Sequence, residues 1–177
     1  MTLTLLCRLK YLQNIRFFRL SSEMFPYASH GNYGYSLEFC APLLAKAGAL
    51  AKRYSHRLTT HPGQYTQLGS PKPAVVEAAV RDLEYHCQML DLMNMGPDSV
   101  MVIHVSSLPA VFLVFPLLKH ISKGGGVYGD KATTLGRLKE SIKGLPPNVR
   151  NRLVLENDEV RHQEILWVYL EFISLFV

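Results

Sequence analysis

Three short apolar runs in this chain each stop on a histidine or a carboxylate: Leu58-Thr-Thr-His61, Val100-Met-Val-Ile-His104 and Leu153-Val-Leu-Glu156. A helical pattern separates each run from the next. Few folds accommodate that arrangement. Apolar runs alternating with helices make a parallel sheet, because parallel neighbours need a crossover between them. In a parallel (β/α) barrel the residues at the C-terminal ends of successive strands converge on one face, where active sites are built. His, His and Glu are suitable donors for a divalent metal of the zinc, manganese or iron type. The pattern therefore predicts a parallel α/β fold with metal-dependent chemistry at the strand ends.

The remaining elements fit that alternation. Asn14–Leu20 is a strand candidate. Ser36–Tyr54 carries Leu37, Leu43, Leu44, Ala47 and Leu50 at helical spacing, with Ser36 as its N-cap. Arg57–Thr60 is the next strand. Pro73–Met93 is the clearest helix, with Pro73 in its first turn and Val76, Val80, Leu83, Cys87 and Leu90 along one face. Ser99–Ile103, a helix over Lys131–Lys143 closed by Gly144 and Pro146, and a strand over Arg152–Leu155 follow. The order β-α-β-α-β-α-β is expected, with a long loop before the last helix.

Each strand-end residue also has a plainer reading. A lone histidine after a strand is often structural, and His104 could simply be hydrogen-bonded. Glu156 at the end of an apolar strand needs a cation, which a metal or an Arg or Lys side chain would supply. The Pro62-Gly63 turn after His61 displays Gln64 and Tyr65. His30 lies in a loop beyond the first strand and reads, by itself, as a surface histidine. The run Gly124-Gly-Gly-Val-Tyr-Gly-Asp130 lacks nucleotide-fold and P-loop spacing. It reads either as a loop that lets backbone approach a ligand such as phosphate or as a plain flexible loop, and no nucleotide cofactor is expected.

Composition narrows the class. With 177 residues and 48% hydrophobic content the chain can bury a core. A whole (β/α)₈ barrel usually takes about 250 residues, so four parallel strands of a partial barrel are expected, without the first strand and the C-terminal strands. The formal charge of +5 suits a polyanionic partner. Cys7, Cys40 and Cys87 are scattered and odd in number, as in reduced core positions of an intracellular protein. The longest apolar stretches, Ala110–Leu118 and Ile165–Val177, fall short of the roughly 20 residues that span a bilayer, and no membrane partner is expected.

Taken together, NIRFFRLSSEMFPYASH, LTTHPGQYTQLGSPKP, VMVIH with GGGVYGDK, and NRLVLENDEV resemble the UV-damage endonuclease family. The resemblance runs from about Asn14 to Val160, apart from 105–123. It implies a TIM-type (β/α) barrel that nicks double-stranded DNA immediately 5′ to UV photoproducts, using a cluster of divalent metals. Manganese is the usual assignment, with zinc and magnesium as alternatives. Carried over motif by motif, it implies that His30, His61, His104 and Glu156 ligate metal, with His61, His104 and Glu156 at the catalytic centre. Gln64 and Tyr65 match the pair that probes the duplex at the lesion. A eukaryotic member would act in the nucleus or in mitochondria.

Two segments depart from the family pattern. Residues 105–123 are apolar, hold two prolines and separate His104 from the glycine run; Val105-Ser106 can be encoded GTA-AGT and Lys123 can end in AG. The segment thus has the form of a translated intron, and its presence points to a eukaryotic source. Residues 161–177 form a similar apolar tail after a domain at 1–160. Since the family's later ligands are not found, these 177 residues alone are expected to be inactive. Another metal-dependent barrel, such as a sugar isomerase, and a non-catalytic remnant are the competing readings; Gln64-Tyr65 and the positive charge favour the endonuclease.

Overall fold

The computed structural model describes residues 3–63, 65–105 and 131–157. Gln64, the glycine run, most of the 105–123 segment and everything after Asn157 lie outside the described residues. Within them run helix α1 (Leu3–Leu12), strand β1 (Phe17–Arg19), a 3₁₀ turn (Leu37–Cys40), helix α2 (Ala41–Arg53), strand β2 (Arg57–Thr59), helix α3 (Pro73–Leu92), strand β3 (Met101–Val105), helix α4 (Lys131–Lys143), the short helix α5 (Pro147–Arg150) and strand β4 (Leu153–Asn157).

The strands form two parallel pairs. β1 lies beside β2, with Phe18 opposite Leu58, and β3 lies beside β4, with Met101 opposite Leu153 and His104 opposite Glu156. A single parallel bridge, Thr60 opposite Met101, joins the pairs. Thr60 donates to the Val100 carbonyl at 3.0 Å and accepts from the Val102 N–H at 3.0 Å. The spatial order is therefore β1-β2-β3-β4, the sequential order that short βα units produce.

Helices α1, α2 and α3 end by the same device. Asn14, Ser55 and Asn94 all take left-handed backbone (φ 61°, 52° and 54°). In each case the next residue donates back across the turn: Ile15 to Lys10, His56 to Ala51 and Met95 to Leu90, at 2.9 to 3.0 Å. These are Schellman closures. After α1 and α2 they return the chain to the sheet within three residues.

Strand parity sorts the side chains, since neighbours alternate between faces. Met101 and Ile103 are buried against the helices, with Leu58 of β2, Leu83 and Leu90 of α3, and Leu138 and Ile142 of α4 in the same core. Val102 and His104, with Val154 and Glu156, take the opposite face. Among the described residues that face is open, and Val154 is 41% exposed. Helix α2 meets the end of α3 closely at Gly48: a Cβ there would lie 1.8 Å from the Met93 carbonyl oxygen. Glycine is required because the backbone of the α3 terminus occupies the side-chain position.

Several expectations shift on inspection. The first strand is shorter than Asn14–Leu20. The Ser36–Tyr54 helix divides into a 3₁₀ turn capped by Ser36, whose Oγ accepts from the Glu38 N–H, and α2 proper, which starts at Ala41 with Pro42 in its first turn. Its buried face is Leu44, Gly48 and Ala51, whereas Leu43 is exposed. On α3, Val76 and Val80 are only half-buried; Tyr85, His86 and Met89 fill the interior beside Leu83, Cys87 and Leu90. The three cysteines are buried and unpaired.

Candidate metal centre

His61, His104 and Glu156 come together. Parity from the Thr60–Met101 bridge sets His61 on the face of Val102 and His104 as the chain leaves the sheet. The register of β3 and β4 places His104 directly beside Glu156. His61 Nε2 lies 3.5 Å and His104 Nδ1 3.8 Å from Glu156 Oε2. The two imidazole rings are 4.5 Å apart between centroids. One donor atom from each residue falls within 4.8 Å of the others.

These spacings are longer than good N–H···O hydrogen bonds, which cluster near 2.9–3.0 Å. They match donors converging on a shared cation. With metal–ligand distances of about 2.1 Å, tetrahedral donors stand roughly 3.4 Å apart. Nitrogen, nitrogen and carboxylate oxygen also suit the chemistry of zinc or manganese. The side chains are graded in exposure, 15% for His61, 37% for His104 and 51% for Glu156, so the group faces outward from the strand ends. The donor set thus fits a divalent metal with further coordination positions open toward solvent.

The loop after β2 is tied down on several sides. The Thr66 N–H donates to Gly63 O at 3.0 Å. Ser141 of α4 donates through Oγ to the Leu68 carbonyl at 2.8 Å, and Arg137 Nε donates to the Gly69 carbonyl at 3.0 Å. Leu68 itself is buried in the core. Tyr65 is left projecting, 79% exposed, from an otherwise anchored turn; Gln64 beside it lies outside the described residues.

His30 stands apart from the three-residue group. Its Nδ1 accepts from the backbone N–H groups of Asn32 and Tyr33 at 3.1 and 3.2 Å, and its ring stacks on Tyr33 at 4.9 Å. The acceptor role fixes Nδ1 as the unprotonated nitrogen. His30 and His61 follow adjacent strands, β1 and β2, and so lie at the same end of the sheet.

A family model for UV-endonuclease UvdE matches residues 2–108 and 116–170. The chain belongs to that family. The UvdE match is wider than the motifs alone suggest, reaching into the 105–123 segment from both sides and to residue 170. A UV-damage endonuclease of Neurospora crassa is 50% identical over 151 residues, 82% of this chain and 20% of that protein. One from Schizosaccharomyces pombe is 43% identical over 150 residues, covering 82% of this chain and 22% of its own length. A UV DNA damage endonuclease of Bacillus pumilus is 36% identical over 149 residues, 82% of this chain and 40% of that protein. Among solved structures, the crystal structure of SacUVDE superposes with a TM-score of 0.76 at 29% identity, covering 96% of this chain and 52% of that chain. The chain thus spans between one fifth and two fifths of the length of these curated relatives, and about half of the solved UvdE chain.

Two structural roles were not visible in the sequence. Arg152, at the start of β4, is a buried clamp. Its guanidinium donates to the carbonyls of Gly96, Ser99 and Met95 and to Asp91 Oδ1, all at 2.6 to 3.0 Å. It thereby ties the α3–β3 connection to the start of β4. Asp82 of α3 accepts from Ser29 Oγ and Thr66 Oγ1. Neither residue sits in a recognisable motif; an acidic residue on a half-buried helix face was the available signal.

Proposed function

We propose that the chain carries one part of a UV-damage endonuclease site: His61, His104 and Glu156 bind a divalent metal, and Tyr65 meets the damaged duplex. The observation that carries this reading is the convergence of three strand-end donors within 4.8 Å in a UvdE-family chain. The underlying architecture would be a partial (β/α) barrel, with β1 to β4 as consecutive wall strands. The metal, manganese by family resemblance with zinc or magnesium as alternatives, would supply Lewis-acid activation for phosphodiester hydrolysis.

The chain's own residues account for placement. Glu156 contributes the negative charge that a cation needs, and the two imidazoles contribute neutral nitrogen donors. His30 faces the same end of the sheet, and its occupied Nδ1 leaves Nε2 as its possible donor atom. Tyr65, with Gln64, offers an aromatic surface to a base. Stacking is worth about 1–3 kcal/mol per base and does not depend on phosphate charge, whereas lysines and arginines supply salt-dependent phosphate contacts. Extrusion of a nucleotide costs least where pairing is already damaged, which gives selectivity. The substrate implies a nuclear or mitochondrial setting in a eukaryote. Among the described residues no helix is long and apolar enough to cross a membrane.

A supercoiled-plasmid assay tests the reading. Plasmid exposed to graded UV doses is incubated with manganese and either this chain or a form extended by the further sequence of its relatives. Open-circle product in the extended form should rise with dose, map 5′ to dipyrimidine sites and disappear with Glu156→Gln. Dose-independent nicking, or full nicking by Glu156→Gln, would overturn it.

A further inference from the structure

The two loops that carry the candidate site meet on one carboxylate. Ser29 Oγ, one residue before His30, donates to Asp82 Oδ1 at 3.1 Å. Thr66 Oγ1, one residue after Tyr65, donates to Asp82 Oδ2 at 2.7 Å. Both distances lie in or close to the normal range for O–H···O bonds. Thr66 is buried, and the Asp82 side chain is 23% exposed. The preceding residue assists: Arg81 Nε donates to the Ser29 carbonyl at 3.4 Å. Beneath the carboxylate lies His86, fully buried, with Nε2 4.0 Å from Asp82 Oδ2 and no hydrogen bond to either ring nitrogen among the described residues. Asp82 thus stands on a helix, over a buried imidazole, with each oxygen accepting from a different loop.

We propose that Asp82 is a positioning residue that holds the His30 loop and the His61–Tyr65 loop in fixed relation, so that lesion probing and metal-donor placement share one anchor. A carboxylate can do this because it has two acceptor oxygens about 120° apart and donates nothing when ionised. Neighbouring side chains of α3 hold the first loop. Gln88 holds Ser36 and Leu37, and Arg81 holds Ser29, all on the side of the first loop. Asp82 hydrogen-bonds to a side chain of each loop. The stated consequence for damage recognition rests on the endonuclease reading; the mechanical role does not.

The experiment has two arms on the full chain. The first is native-state hydrogen exchange read by mass spectrometry on peptides covering 25–33 and 61–70, with 83–92 as the control. A hydrogen bond to a charged acceptor protects on the order of tenfold or more. Thr66→Val should speed exchange about tenfold in 61–70 alone and Ser29→Ala in 25–33 alone. Asp82→Ala should speed both, leaving 83–92 within twofold, and the Ser29→Ala, Thr66→Val double variant should reproduce it. Unchanged exchange in either loop in the double variant, or equal acceleration in 83–92, would overturn the bracket. If Asp82→Ala does not fold, the two hydroxyl variants decide the matter alone.

The second arm is binding of UV-irradiated against intact duplex. The double variant should lower the irradiated-to-intact affinity ratio at least threefold while leaving intact-duplex affinity unchanged, which simple loss of stability would not do. A ratio unchanged by the double variant, in a chain whose exchange behaves as expected, overturns the link to recognition. A wild-type chain with no preference for irradiated DNA instead counts against the endonuclease reading, and the exchange arm still judges the anchor.

Discussion

Three side chains that end successive apolar runs, His61, His104 and Glu156, stand within 4.8 Å of one another as candidate metal donors. His61, His104 and Glu156 could be read because each ends an apolar run, and a strand end is a place that sequence marks clearly. Asp82 and Arg152 could not, because their partners lie far along the chain: Asp82 reaches back to Ser29 and Arg152 to Asp91. Glu156→Gln should weaken manganese or zinc binding at least tenfold in a competition titration. Altering a group that merely supports a ligand already costs about 10–100-fold, and this change removes the only negative charge in the three-residue group. Wild-type affinity in the variant would show that Glu156 is not a ligand. His86 makes a separate prediction. Burial outweighs the neighbouring Asp82 and holds its pKa below the ordinary value. The folded state therefore keeps it neutral while the unfolded chain protonates near the usual pH of about 6.5. Its contribution is intact above that pH and is lost as pH falls toward the depressed folded value. Urea titrations should show stability declining below about pH 6.5, with a shallower decline in His86→Phe; parallel pH profiles would refute the assignment.

At the level of elements, hydrophobic period found the long helix and the four strands of the described residues, but boundaries moved wherever local chemistry overrode period. The predicted Ser36 cap serves a 3₁₀ turn because a new helix begins at Ala41, immediately after Cys40, with Pro42 in its first turn. Leu43 fits the period yet faces outward, since the crossing is set by Gly48 against Met93 rather than by the bulk of the leucines. Helix α1 went unread for want of an N-cap or a stop signal, and its end at Asn14, like that of α2 at Ser55, lacks the usual glycine. These closures suggest two opposite substitutions. Ser55→Gly should raise stability by about 0.5–1 kcal/mol, because serine is strained in left-handed backbone and glycine is not. Gly48→Ala should lower it by about 1–3 kcal/mol, since an overpacked contact forces the backbone apart. Denaturant midpoints measure both; a neutral Gly48→Ala would mean that α2 and α3 can separate freely at that crossing.

For the whole molecule, the parallel order of β2 to β4 brings His61, His104 and Glu156 to one end of the sheet, and the positive charge of the chain, +5, is a global property with no fixed place in that geometry. The two features should separate in solution. Phosphate contacts release counterions, so affinity for any duplex falls steeply as salt rises from about 50 to 200 mM. Stacking by Tyr65 on an exposed base involves no counterion and should persist over the same range. Measured by fluorescence anisotropy, binding to irradiated and intact duplexes should therefore lose affinity along parallel lines of log affinity against log salt. The vertical gap between them should shrink in Tyr65→Ala and survive in charge-neutralising variants at exposed lysines. A gap that closes with salt in the wild type would mean that discrimination is electrostatic and that Tyr65 is not the probe.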